Sequence, residues 1–89
     1  MIDVRGDSEW NDGHLPHATH LFLANLVDRA RDMARDTPIT VFCQGGTRSA
    51  IAASLLQANG FTNVVNMKDG IDGWKAAGLP IDRPSAHTP

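Results

Sequence analysis

The sequence predicts a small α/β domain in which a parallel β-sheet is flanked by helices. Apolar, β-branched runs alternate along the chain with stretches of helical spacing, the pattern expected where each strand returns to the sheet through a helix. At 89 residues the chain can bury one modest core and has no room for a second catalytic domain. The domain is expected over residues 1–82, and the segment Arg83-Pro84-Ser85-Ala86-His87-Thr88-Pro89 reads as a disordered tail.

Taken in order, Met1-Ile2-Asp3-Val4 reads as a short strand, and a strand beginning at the first residue points to a cut or processed start. Arg5 to Gly13 is polar and turn-rich, and Gly13-His14-Leu15-Pro16 predicts a bend before an extended segment, His20-Leu21-Phe22-Leu23. Asn25 can cap a helix with Leu26, Val27, Ala30, Met33 and Ala34 at helical spacing, ending near Asp36 before Pro38. Ile39-Thr40-Val41-Phe42 is the clearest strand. The clearest helix begins near Thr47, carries Ile51, Ala52, Leu55 and Leu56 on one face, and closes at Gly60. Asn63 to Met67 predicts a strand and Gly70 to Ala77 a short helix closed by Gly78.

Net charge is −2 and there is no Lys/Arg run, which argues against nucleic-acid and anionic-membrane partners and leaves small molecules or proteins. A single cysteine cannot form an internal disulfide and suits a reducing compartment. The sequence shows neither a signal peptide nor an apolar run of spanning length, so the expected location is cytoplasmic.

The most informative residues are Cys43-Gln44-Gly45-Gly46-Thr47-Arg48-Ser49, which set that one cysteine between a strand and a helix. Glycines let a loop curl until successive backbone N–H groups converge, and a helix N-terminus adds partial positive charge. Both favour thiolate over thiol. A lone cysteine closing a buried strand is also a common small core residue. The glycine pair and Arg48 favour the nucleophile, because a structural turn needs at most one glycine and an arginine five residues after the thiol can reach back toward an anion.

Other residues carry weaker signals. Asp3 and Arg5, alternating along one strand, are expected to face the same side and form a structural network with Glu9. His14, His17 and His20 recur every three residues, but Pro16 prevents the helix that would align them and no cysteine or carboxylate cluster completes a metal site. His14 is expected to stabilise its turn. Trp10 and Trp74 are expected to pack at the sheet margin.

Nearly the whole chain resembles the rhodanese domain, the sulfurtransferase family. The resemblance rests on Asp3-Val4-Arg5, Glu9, Gly13-His14-Leu15-Pro16, the Cys43–Arg48 loop, Gly60-Phe61, Gly70-Ile71-Asp72-Gly73-Trp74 and Gly78-Leu79-Pro80, in that order and spacing. It implies that Cys43 is a catalytic sulfur carrier cycling through a persulfide, and that Gln44, Gly45, Gly46, Thr47 and Arg48 bind substrate through a backbone cradle. It also implies a small-molecule sulfur donor, a thiol or cyanide acceptor, and no cofactor. Cysteine phosphatases place five residues between Cys and Arg, whereas four stand here, a tighter ring suited to a terminal sulfur. The chain departs from the family pattern in having His17 where glycine is common and Asp69 where the first of a glycine pair is usual, which puts an acidic side chain near the far end of the sheet. It also lacks the strand and helix that usually precede the Asp-Val-Arg segment. The stretch from Cys43 to Ser54 is similar to rhodanese modules fused to metallo-β-lactamase-fold hydrolases or persulfide dioxygenases. The alternative to an independent sulfurtransferase is therefore a low-turnover sulfur-relay or interaction module of a larger fused or partnered enzyme.

Overall fold

The computed structural model describes residues 1–82, so the expected tail at 83–89 lies outside the described residues. The elements are β1 (Ile2–Asp3), α1 (Asp7–Asp12), β2 (Thr19–His20), a 3-10 turn (Leu23–Asn25), α2 (Leu26–Ala30), β3 (Ile39–Phe42), α3 (Thr47–Ala58), β4 (Val64–Asn66) and α4 (Gly70–Ala76). The four strands run parallel in the order β2-β1-β3-β4. Ile2 pairs with both Thr19 and Val41, and Ile39 pairs with Val64. This is the expected architecture.

Alternation along β3 divides the core between the two faces of the sheet. Ile39, Val41 and the following Cys43 join Leu26 and Ala30 of α2 and Ala52, Ala53 and Leu56 of α3 on one side. Phe42 joins Leu15 and Ile71 on the other, where Met67, Trp74 and Ile81 pack against it. Because β3 lies between β1 and β4 and is covered on both faces, its carboxyl end is held from every direction. That end carries Cys43.

The short helix α1 replaces the turn-rich segment expected at Arg5 to Gly13. None of its six residues is buried, so it has no apolar periodicity to reveal it. Its signal is polar: Asp7 and Glu9 lie in the first turn, and the Glu9 carboxylate accepts the Gly6 N–H at 3.2 Å. The strand expected at His20 to Leu23 is only Thr19–His20, with Leu23 already in the 3-10 turn. The helix expected to reach Asp36 ends at Ala30, and Asn25 offers it no side-chain cap. A half-buried Met33 packs against the core from the irregular segment that follows.

In α3 the expected apolar face is rotated. Ala52 and Leu56 are buried with Ser49 and Ala53, while Ile51 and Leu55 are 51% and 37% exposed. The helix closes as expected: Gly60 takes φ +92° while Phe61 N–H donates to the Leu56 carbonyl at 3.1 Å. His17 takes φ +64°, the left-handed conformation that glycine adopts without strain. Asp69 lies in the β4–α4 turn, on the same carboxyl-end side of the sheet as Cys43 rather than at its far end. No helix among the described residues is long and apolar enough to cross a membrane.

The rotated face predicts a contrast. Leu56→Ala should cost about 2–5 kcal/mol through the cavity it leaves, whereas Ile51→Ala should stay within about 0.5 kcal/mol. Urea midpoints at constant m-value check both.

Candidate active site

The loop from Cys43 to Gly46 is clamped between α3 and the β4–α4 turn. The Cys43 carbonyl accepts the Ile71 N–H at 2.9 Å and the Gln44 carbonyl accepts the Asp72 N–H at 3.0 Å. In a trans peptide the next N–H points opposite to the carbonyl, so those of Gln44 and Gly45 are turned away from α4. A Cβ on Gly46, at φ +108°, would run into the Lys68 carbonyl, and one on Gly70, at φ +55°, would run into the Cys43 carbonyl. Both positions need glycine for shape as well as for backbone angle.

Cys43 is 1% exposed, and its Sγ sits at the floor of the loop. The Gly46 N–H donates to Sγ at 3.1 Å, the Ser49 N–H at 3.4 Å, and the Ser49 Oγ lies 3.4 Å away. Burial works against the thiolate. The Ser49 hydroxyl and the N–H groups of Ser49, Gly46 and Arg48 outweigh it and hold the thiol below its ordinary pKa. These donors come from the first turn of α3, where N–H groups have no partner within the helix.

Ser49 was not among the expected site residues. It is fully buried, and its hydroxyl can donate to the Gly46 carbonyl at 3.1 Å or turn toward Sγ. A side chain in the first turn of a helix leans toward the N-terminus, so a serine six residues after the thiol was the available signal.

The expected substrate-binding residues divide. Gly45 and Thr47 are exposed at the loop and the helix start. The Gln44 side chain is committed: its Nε2 donates to Asp72 Oδ1 at 2.6 Å and its Oε1 accepts from Arg5 Nη1 at 3.1 Å. What Gln44 offers a ligand is therefore backbone. Arg5 in turn forks onto Asp3, with Nη2 2.8 Å from Oδ2, and donates to the Gly13 carbonyl at 2.7 Å.

Glu9 meets the expected Asp3–Arg5 network only through the charge of Arg5, and its hydrogen bonds go elsewhere. It sits on α1, which turns it toward α3, and there it takes both arms of Arg48, Oε1 accepting from Nη1 at 2.6 Å and Oε2 from Nη2 at 2.8 Å. This fork, helped by the Gly6 N–H and opposed by partial burial, holds the Glu9 carboxyl down to about 2 and raises Arg48. His14 and His20 serve local structure. His14 stacks on Trp10 at 3.6 Å and donates from Nδ1 to the Trp10 carbonyl, while His20 donates from Nε2 to the Arg5 carbonyl at 2.7 Å. A cleft of about 330 Å³ lined by Met1, Ile2, Thr19, Met33 and Ile39 lies at the amino ends of the strands, away from Cys43.

Two outcomes follow. Ser49→Ala should raise the pKa of Cys43, read as an alkaline displacement of the thiolate absorbance curve. Glu9 ionises more readily folded than unfolded, so its stabilising effect is complete above its ordinary value of 4.5 and is lost as pH falls toward 2. Glu9→Gln should therefore flatten the acid loss of stability in that window, by about 1 kcal/mol for a pair this open to solvent. Urea midpoints across the window check it.

Comparison with known proteins agrees with this geometry. A model of the rhodanese-like domain family matches residues 1–77. The uncharacterized protein YqhL of Bacillus subtilis is 36% identical over 74 residues, covering 83% of this chain and 59% of that protein. The thiosulfate sulfurtransferase GlpE of Pseudomonas entomophila is 33% identical over 76 residues, covering 85% of this chain and 70% of the relative. The solution structure of a rhodanese-like domain from Anabaena sp. superposes with a TM-score of 0.87 at 36% identity, covering 99% of this chain and 68% of that one. The fold, the placement of the cysteine loop and these matches together make the chain a member of the rhodanese-like domain family.

Proposed function

We propose that the protein is a sulfurtransferase in which Cys43 carries the sulfur. The observation that supports this most is the set of hydrogen-bond donors on Sγ, from the N–H groups of Gly46 and Ser49 and the Ser49 hydroxyl, at the start of α3. They favour a thiolate, the form in which Cys43 attacks a donor and departs from the persulfide when an acceptor takes the sulfur. The Pseudomonas relative, by its name, uses thiosulfate.

In the first half-reaction the Cys43 thiolate attacks the outer sulfur of a donor, thiosulfate or a persulfide. The new S–S bond forms as the donor's own S–S bond breaks, and the electron pair leaves on sulfite or on a thiolate. In this reading loop N–H groups of Gln44, Gly45 and Thr47 receive the terminal sulfur, which is supported by those of Gln44 and Gly45 being turned away from α4. In the second half-reaction a nucleophilic acceptor, a thiol or cyanide, attacks that sulfur and Cys43 departs as thiolate. A sulfur atom approaching a residue 1% exposed must come end-on, which suits a one-atom transfer better than a tetrahedral phosphoryl group.

Incubation with thiosulfate and glutathione persulfide in turn should add one sulfur atom to the intact mass for each competent donor, and an excess of thiol should remove it. Cys43→Ser should abolish both steps. Transferase activity in that variant well above background would refute the mechanism.

A further inference from the structure

Building on the sulfur-transfer reading, we propose that Glu9 selects the donor class. By occupying both arms of Arg48 it turns the site away from doubly charged oxyanion donors and toward persulfides, RS–SH, whose carriers bring no oxyanion to the loop.

Among the described residues two guanidinium groups reach the cysteine loop, and both are committed. Arg5 is buried and divided among Asp3, the Gly13 carbonyl and Gln44 Oε1. Arg48 gives Nη1 and Nη2 to Glu9 at 2.6 and 2.8 Å. Glu9 is not free to swing aside, because it is rooted in α1 and also accepts the Gly6 N–H at 3.2 Å. An oxyanion seeking the two-armed face of Arg48 must displace a bidentate carboxylate. The nearby charges do not compensate: Lys68 is followed directly by Asp69, and Asp72 Oδ2 lies 3.9 Å from where a Cβ on Gly45 would stand.

The two donor classes respond differently to such a site. With thiosulfate, a thiolate must meet a dianion: Cys43–S⁻ bonds to the sulfane sulfur, the S–S bond breaks, sulfite departs with the electron pair, and Cys43–S–S⁻ remains. Like charges approach throughout, and among the described residues backbone N–H groups and the end of α3 are left to offset the repulsion. With RS–SH the electrophile is neutral. The thiolate bonds to the outer sulfur, which keeps its hydrogen, the RS–S bond breaks, and RS⁻ leaves with the pair, so no external oxidant or reductant is required. The second route asks for no free cation.

The test compares kcat/KM for sulfur uptake from sodium thiosulfate and from 2-hydroxyethyl persulfide, whose carrier bears no charge, in the wild-type chain, in Glu9→Gln and in Glu9→Gln/Arg48→Gln. The wild type should favour the persulfide. Releasing one charged contact to an anion corresponds to about tenfold or more, so Glu9→Gln should raise the thiosulfate-to-persulfide ratio by about that factor. The double substitution should erase the gain, and Glu9→Ala should reproduce it if the glutamine variant folds poorly. The gain should also weaken with added salt. A ratio that stays the same or falls when Glu9 is neutralised would overturn the proposal and leave Glu9 as a support for Arg48. Failure of Cys43 to take sulfur from either donor in a folded protein would instead overturn the sulfur-transfer reading, and this inference with it.

Discussion

The arrangement around Cys43 depends on one buried ion pair. Asp3 and Arg5, both essentially inaccessible, face each other at the end of β1, and the guanidinium spends its remaining donors on the Gly13 carbonyl after α1 and the Gln44 side chain in the cysteine loop. The backbone carbonyl of Arg5 adds a bond from His20 at the end of β2. One residue thus ties together two strands, the end of a helix and the loop. A buried pair adds little net stability over apolar residues of similar shape, but losing one partner strands the other charge and costs about 3–5 kcal/mol. Its role here is placement: Gln44 is held from one side by Arg5 and from the other by Asp72, which fixes the loop carbonyls and turns the following N–H groups the other way.

Around this anchor the loop has little freedom. The first turn of α4 takes the carbonyls of Cys43 and Gln44, and close packing at Gly46 and Gly70 excludes any side chain there. The same features that order the loop create its electrostatics. Carbonyls face α4, the first N–H groups of α3 face Sγ, and the result is a buried sulfur whose thiolate is favoured despite burial. At the mouth the balance is different, because Arg48 is neutralised by Glu9 instead of standing open. The groups that stabilise the sulfur and the ion pair at the mouth are therefore separate parts of the loop's surroundings.

Much of this was legible in the sequence, and the misses share a physical cause. The strand from Ile39 to Phe42, the long helix after it and the left-handed glycines at 60 and 78 are signalled by local patterning and appear where expected. Helix α1 was missed because a six-residue exposed helix leaves no apolar period. The exposed Ile51 and Leu55 misled the reading of α3, where small residues, Ser49, Ala52 and Ala53, supply most of the buried face and let the helix lie close to the sheet. The pairing of Glu9 with Arg48 spans 39 positions and depends on α1 turning Glu9 away from Asp3, which no local pattern records. Ser49 could have been found by following the first turn of the helix back toward the thiol.

The most direct test is a crystal structure of the protein after treatment with a competent sulfur donor. The account predicts one additional sulfur bonded to Cys43 Sγ, lying within the loop and receiving the N–H groups of Gln44, Gly45 and Thr47, with the Asp3–Arg5–Gln44 contacts unchanged. A sulfur bound elsewhere, or a persulfide turned out of the loop with those N–H groups unused, would contradict it.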